Sequence, residues 1–209
     1  MNRRTLLKLG TVSSGVAHFK LFGASASSTT GPRQAGMPSS AVSAGKSRGH
    51  KYDNFKAFSY ARAWCAKEQN SCGVFLKGDN KSDCAHFIAH CLNAGGIRVA
   101  NKDAATKFCG DGLAVRNSVI VDELKKLASL YSNIKEMDLV DGVVGDVGFL
   151  DRPDRPYHAF MVCEPYKLGD LAALTTGPKV WAHSLARCCE PMDTNWKHWF
   201  SSMFRLEDG

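Results

Sequence analysis

From residue 52 onward the apolar positions recur first at helical spacing and later at strand spacing. The pattern predicts helices over Phe55 to Lys67, over Asp83 to Ala94 and near Val119 to Tyr131, then three or four strands ending around Met203 to Leu206. The second helix has the clearest limits. Ser82 and Asp83 are N-cap types, the body is uninterrupted, and Gly95-Gly96 supplies the stop. At about 100° per residue, Phe87, Ile88, Cys91 and Leu92 flank Cys84 on one side, and His86, His90 and Asn93 gather on the other. The first stripe reads as core and the second as a solvated helix surface.

Among the strands, Val147 to Leu150 follows the turn Gly145-Asp146, and His158 to Cys163 follows a Pro-bounded loop, which together predict a hairpin. A period of two sets His158 on the face of Phe160 and Val162. A further strand, Val180 to Leu185, carries His183 on the face of Trp181 and Leu185. Two histidines on neighbouring strands are thus expected to face one helix. Helices first and strands afterwards indicate an α+β fold.

The first 51 residues have another character. Asn2-Arg3-Arg4-Thr5-Leu6-Leu7-Lys8 and the modestly apolar stretch to Ala24-Ser25-Ala26 form a twin-arginine-type export signal over residues 1–26 with a small-residue cleavage site. His18 and Lys20 interrupt that stretch, so no stable membrane span is expected. Residues 27–51, rich in Ser, Thr, Gly, Ala and Pro, read as a disordered linker, and residues 52–209 as one domain long enough to bury a core. The formal charge of +7 is uneven. Eight basic and no acidic residues lie in 1–51, which leaves 19 basic against 20 acidic groups in the domain. Nucleic-acid binding has no further support.

The candidate chemistry centres on Cys84. A thiol in the first turn of a helix feels the positive end of the dipole and unpaired backbone N–H groups, both of which favour the thiolate. A histidine can act as its base near neutral pH, and a third group can fix the tautomer of that base.

Asp83-Cys84 opening a helix that ends in Ala94-Gly95-Gly96, then Gly145-Asp146 before a strand, His158 leading the next and His183 on a third, resembles the NlpC-type cysteine peptidase and amidase superfamily, most closely its putative amidase branch. The resemblance covers about residues 52 to 206. It implies a papain-like core, N-terminal helices packed on an antiparallel sheet, with Cys84 as nucleophile, His158 as general base and acid, and His183 orienting His158. The backbone N–H of Cys84 is the natural first oxyanion donor. Asp83, which helps hold substrate in relatives, and Tyr60, on the preceding helix, are further oxyanion or substrate candidates. Two departures stand out: Ala85 where relatives have a small hydroxyl residue, and Phe75 where they have a tyrosine.

Those roles imply an exported bacterial cysteine hydrolase, periplasmic or secreted, that cuts an amide bond through a thioester. The expected partners are peptidoglycan stem peptides or a related peptide, and the twin-arginine export machinery. The alternatives are an inactive cell-wall-binding module of the same fold and a His/Cys metal-binding protein. No cofactor is expected. His86 and His90 have the i, i+4 spacing of a zinc clamp, but Phe87 stands where a zinc peptidase places its glutamate, so no metal is assigned. Among the eight cysteines the connectivity stays open: Cys65 with Cys72, and Cys188-Cys189 with Cys109 or Cys163, are candidate pairings, while Cys91 belongs to the core. His50 and His198 are expected at the surface.

Overall fold

The computed structural model describes residues 46, 49–67, 71–72, 83–101, 110–152, 155–165, 177–183, 187–192 and 200–209, of which the side chains of 152 and 155–157 are not considered. The export signal, almost all of the linker, Phe75, Ser82, Cys109 and His198 lie outside them. Three helices, α1 (Asn54–Trp64), α2 (Asp83–Ala94) and α3 (Asn117–Leu130), precede a six-stranded antiparallel sheet. Its strands are β1 (Ile134–Met137), β2 (Val147–Arg152), β3 (Arg155–Glu164), β4 (Lys179–Ala182), β5 (Arg187–Pro191) and β6 (Phe200–Leu206), in the order β1-β6-β2-β3-β4-β5. The α+β expectation holds. None of the helices among the described residues is long and apolar enough to cross a membrane.

Local chemistry explains the helix limits. Asp53 caps α1, its Oδ1 accepting from Lys56 N at 2.9 Å. Small Ala57 and Ala61 form its buried stripe. At the far end of α2, Ile97 N donates to Leu92 O and Gly96 N to Asn93 O, with Gly96 at φ 101°. This is a Schellman closure, and it needs a left-handed residue that glycine supplies without steric cost. In α3 the buried positions Asn117, Ile120, Leu124 and Leu127 follow helical spacing.

Every residue of α2 from Asp83 to Leu92 is buried. His86 and His90, expected on a solvated face, are buried, and of that face Asn93 alone among the three stays exposed. Pleat alternation then divides the sheet. Val147, Phe149, Ala159, Met161, Trp181 and Phe204 join the core beneath the helices, whereas Leu150, Phe160, Val162, Val180, Ala182 and Met203 form a second core on the opposite face.

The predicted strands are present with adjusted limits. β3 starts at Arg155 rather than His158, and β4 ends at Ala182, leaving His183 in a turn. The strands beyond the expected three or four include the short edge strands, β1 of 4 residues and β5 of 5, whose exposed positions blur the alternation. The β2 entry turn is fixed by Gly145 (φ 92°), whose N–H donates to Val162 O at 2.9 Å, while Val162 N returns a bond to Asp146 O at 2.8 Å.

Two disulfides knit β5 to its surroundings, Cys65–Cys188 to the end of α1 and Cys163–Cys189 to β3. Cys65 therefore does not pair with Cys72, which is itself disulfide-bonded. Cys91 is a buried thiol of the core, as expected, and burial pushes its pKa up. His50 is half-buried and packs edge-on against Tyr131, with its backbone N–H on Asn133 Oδ1.

Candidate active site

Cys84 sits in the first turn of α2, fully buried and outside any disulfide. The first residue of α3 comes to it: Asn117 Nδ2 lies 3.6 Å from Cys84 Sγ and donates to the sulfur. Two helix N-termini thus meet at this thiol. The amide donor and the dipole ends stabilise negative charge on the sulfur, and its complete burial opposes that charge. Asn117 has no signal in the sequence that ties it to Cys84, because the α2–α3 packing alone brings them together.

Beside Cys84 in sequence, Asp83 is wholly buried and its Oδ2 lies 2.6 Å from His183 Nδ1. His183 Nε2 is 2.8 Å from Trp64 O, and its ring stacks on Phe87 with centroids 4.2 Å apart. A carbonyl oxygen only accepts, so Nε2 carries a proton and donates it to Trp64 O. Both nitrogens of His183 are therefore engaged, by Asp83 and by the end of α1. The expected hydrogen bond between His183 and His158 gives way to this Asp83–His183 pair.

His158 stands on β3 opposite Leu150 of β2. Along β3 it alternates in step with Phe160 and Val162, as the sequence anticipated. The structure thus gathers Asp83, Cys84, Asn117 and His183 around the start of α2, with His158 on the adjoining strand.

Tyr60 lies elsewhere. Its hydroxyl is engaged by Ser71, 3.0 Å from Ser71 Oγ and accepting from Ser71 N at 3.1 Å, and its ring stacks at 5.5 Å on His90. Burial raises its pKa. Asp83 is turned inward to His183 rather than outward to a substrate.

On the other side of α2, His86 Nε2 and His90 Nε2 lie 3.2 Å apart. Burial lowers the pKa of His86, and burial followed by the charge of His86 lowers that of His90 to about 4. Both rings are neutral at physiological pH as a result.

A family profile described as a putative amidase domain matches residues 51–202, and the chain belongs to that family. The match spans all three helices and most of the sheet, from the cap of α1 into β6. Membership supports a hydrolase acting on amide bonds. No curated protein and no solved structure matches the chain.

Proposed function

We propose that the protein is an exported cysteine amidase of the NlpC-type, papain-like class, which cleaves an amide bond in peptidoglycan stem peptides or a related peptide. The observation that carries this reading is Cys84, a thiol outside any disulfide that opens a buried helix with the Asn117 amide on its sulfur. In the reaction, Cys84 Sγ forms a bond to the substrate carbonyl carbon. The amine leaves with a proton, and water then hydrolyses the thioester to a carboxylic acid and the restored thiol. The Cys84 N–H and Asn117 Nδ2 are the donors available to the oxyanion. The base is His158, following the resemblance. The export and peptidoglycan parts of the reading rest on Arg3-Arg4 with the stretch that follows, and on the family resemblance.

Iodoacetamide alkylation of Cys84 across pH, in the full chain and in His158→Ala and His183→Ala, tests the proposal. An apparent pKa well below the free value of about 8.5, rising in His158→Ala, supports it. A rise in His183→Ala alone reassigns the partner to His183. Slow alkylation with an ordinary or raised pKa in all three chains overturns the cysteine mechanism and leaves a wall-binding module.

A further inference from the structure

The buried side of α2 that holds His86 and His90 plays no part in the chemistry of Cys84, yet four potential donor atoms converge there. His86 Nε2, His90 Nε2, an Asp111 carboxylate oxygen and Cys72 Sγ all lie within 4.8 Å of one another. We propose that this cluster is a binding site for a zinc-class divalent ion, held by His86, His90 and Asp111 and completed by Cys72 when its disulfide is reduced.

Three of the six donor-to-donor spacings match those of a tetrahedral site. Nitrogen ligands at about 2.0–2.1 Å from zinc stand about 3.3 Å apart at tetrahedral angles, and nitrogen and sulfur at about 2.3 Å stand about 3.6 Å apart. The two ring nitrogens are 3.2 Å apart, His90 Nε2 and Asp111 Oδ2 are 3.5 Å apart, and His86 Nε2 and Cys72 Sγ are 3.6 Å apart. The donors are also oriented from behind. His86 Nδ1 lies 3.4 Å from Ala114 O, which places the proton on Nδ1 and the lone pair of Nε2 toward the cluster. Asp111 Oδ1 accepts from Leu113 N at 3.0 Å, leaving Oδ2 for His90 and the ion. The neighbouring Gly110 and Gly112, both at positive φ, shape the loop that turns Asp111 inward. The Tyr60 ring covers His90 from the side of α1.

The disulfide of Cys72 sets the ligand count. A trialkylphosphine cleaves it by taking oxygen from one water to become the phosphine oxide, while the two sulfurs take the two hydrogens. The Cys72 thiol then gives its proton to solvent as it binds the ion. With the disulfide closed the site offers two nitrogens and a carboxylate, and water fills the remaining position.

The test is cobalt(II) titration of the full chain, oxidised and phosphine-treated, read by visible absorption and by metal content after gel filtration. The site predicts one ion per chain with intense four-coordinate ligand-field bands. Binding is lost in His90→Gln and weakened at least tenfold in Asp111→Asn, with circular dichroism confirming the fold of each. Phosphine adds a sulfur-to-cobalt band that Cys72→Ser lacks. Should His90→Gln fail to fold, Asp111→Asn, whose side chain is partly exposed, carries the same test. Binding in Asp111→Asn or His90→Gln as tight as in the parent chain overturns the site. So does the absence of stoichiometric binding in both redox states, which leaves an N–H···N bond between the two histidines.

Discussion

Asp83 and His183, separated by 100 residues, meet through a 2.6 Å contact in which neither side chain reaches solvent. The pair ties the first turn of α2, where Cys84 sits, to the end of β4, and through Trp64 O to the end of α1. Removing one partner leaves a buried polar group without the other. Asp83→Ala is therefore expected to cost about 3–5 kcal/mol, with His183→Ala similar and the double variant much less than additive. Urea denaturation of the three variants checks this; simple additivity would mean that the contact carries no coupling.

Asn117 is the residue whose replacement should separate reactivity from folding. Asn117→Ala removes the amide donor from Cys84 Sγ. The apparent pKa of Cys84 alkylation should then rise, and amide hydrolysis should fall by about 10²–10³ if the same amide also serves the oxyanion. An alkylation profile that coincides with that of the parent chain would reduce Asn117 to a packing residue.

Cys65–Cys188 links residues 123 apart and joins α1 to an edge strand. On the chain-entropy argument, replacing both cysteines with serine should lower stability by about 4–5 kcal/mol. Because β5 pairs only with β4 among the described residues, hydrogen exchange in Arg187 to Pro191 should accelerate more than in β2 or β6. Uniform acceleration across the sheet would show that the bond stabilises the whole fold and not its edge.

Gly145 combines a φ of 92° with a site where a Cβ would meet Asn54 Oδ1 at 1.9 Å. Gly145→Ala should cost at least about 1–3 kcal/mol from the backbone alone. It should also displace Asn54, whose Nδ2 donates to Val144 O at 3.2 Å. A thermal midpoint within one degree or so of the parent would contradict this, since about 1 kcal/mol moves a domain of this size by about 2–4 °C or more.

Much of α2 was legible in the sequence because its signals are local. An N-cap type at Asp83, an unbroken body and Gly95-Gly96 act within a turn or two, and the Schellman bonds at Leu92 and Asn93 follow from them. The environment of the helix was not legible. His86 and His90 look like solvated polar positions, and their burial depends on Ala114 and Asp111, brought in from distant parts of the chain. The same limit applies to His158. Its alternation with Phe160 and Val162 was readable, but which face of the sheet the helices cover was not.

The sequence by itself determined the three helices, the hairpin of β2 and β3, and the placement of one cysteine at a helix start, because capping residues, glycine stops and apolar periodicity act over a few bonds. Tertiary structure alone decided that His183 meets Asp83, that Asn117 reaches Cys84, that Cys65 pairs with Cys188, and that two histidines and an aspartate converge behind α2. Those contacts depend on helix packing and strand register, which the whole core sets together, and no local run of residues encodes them.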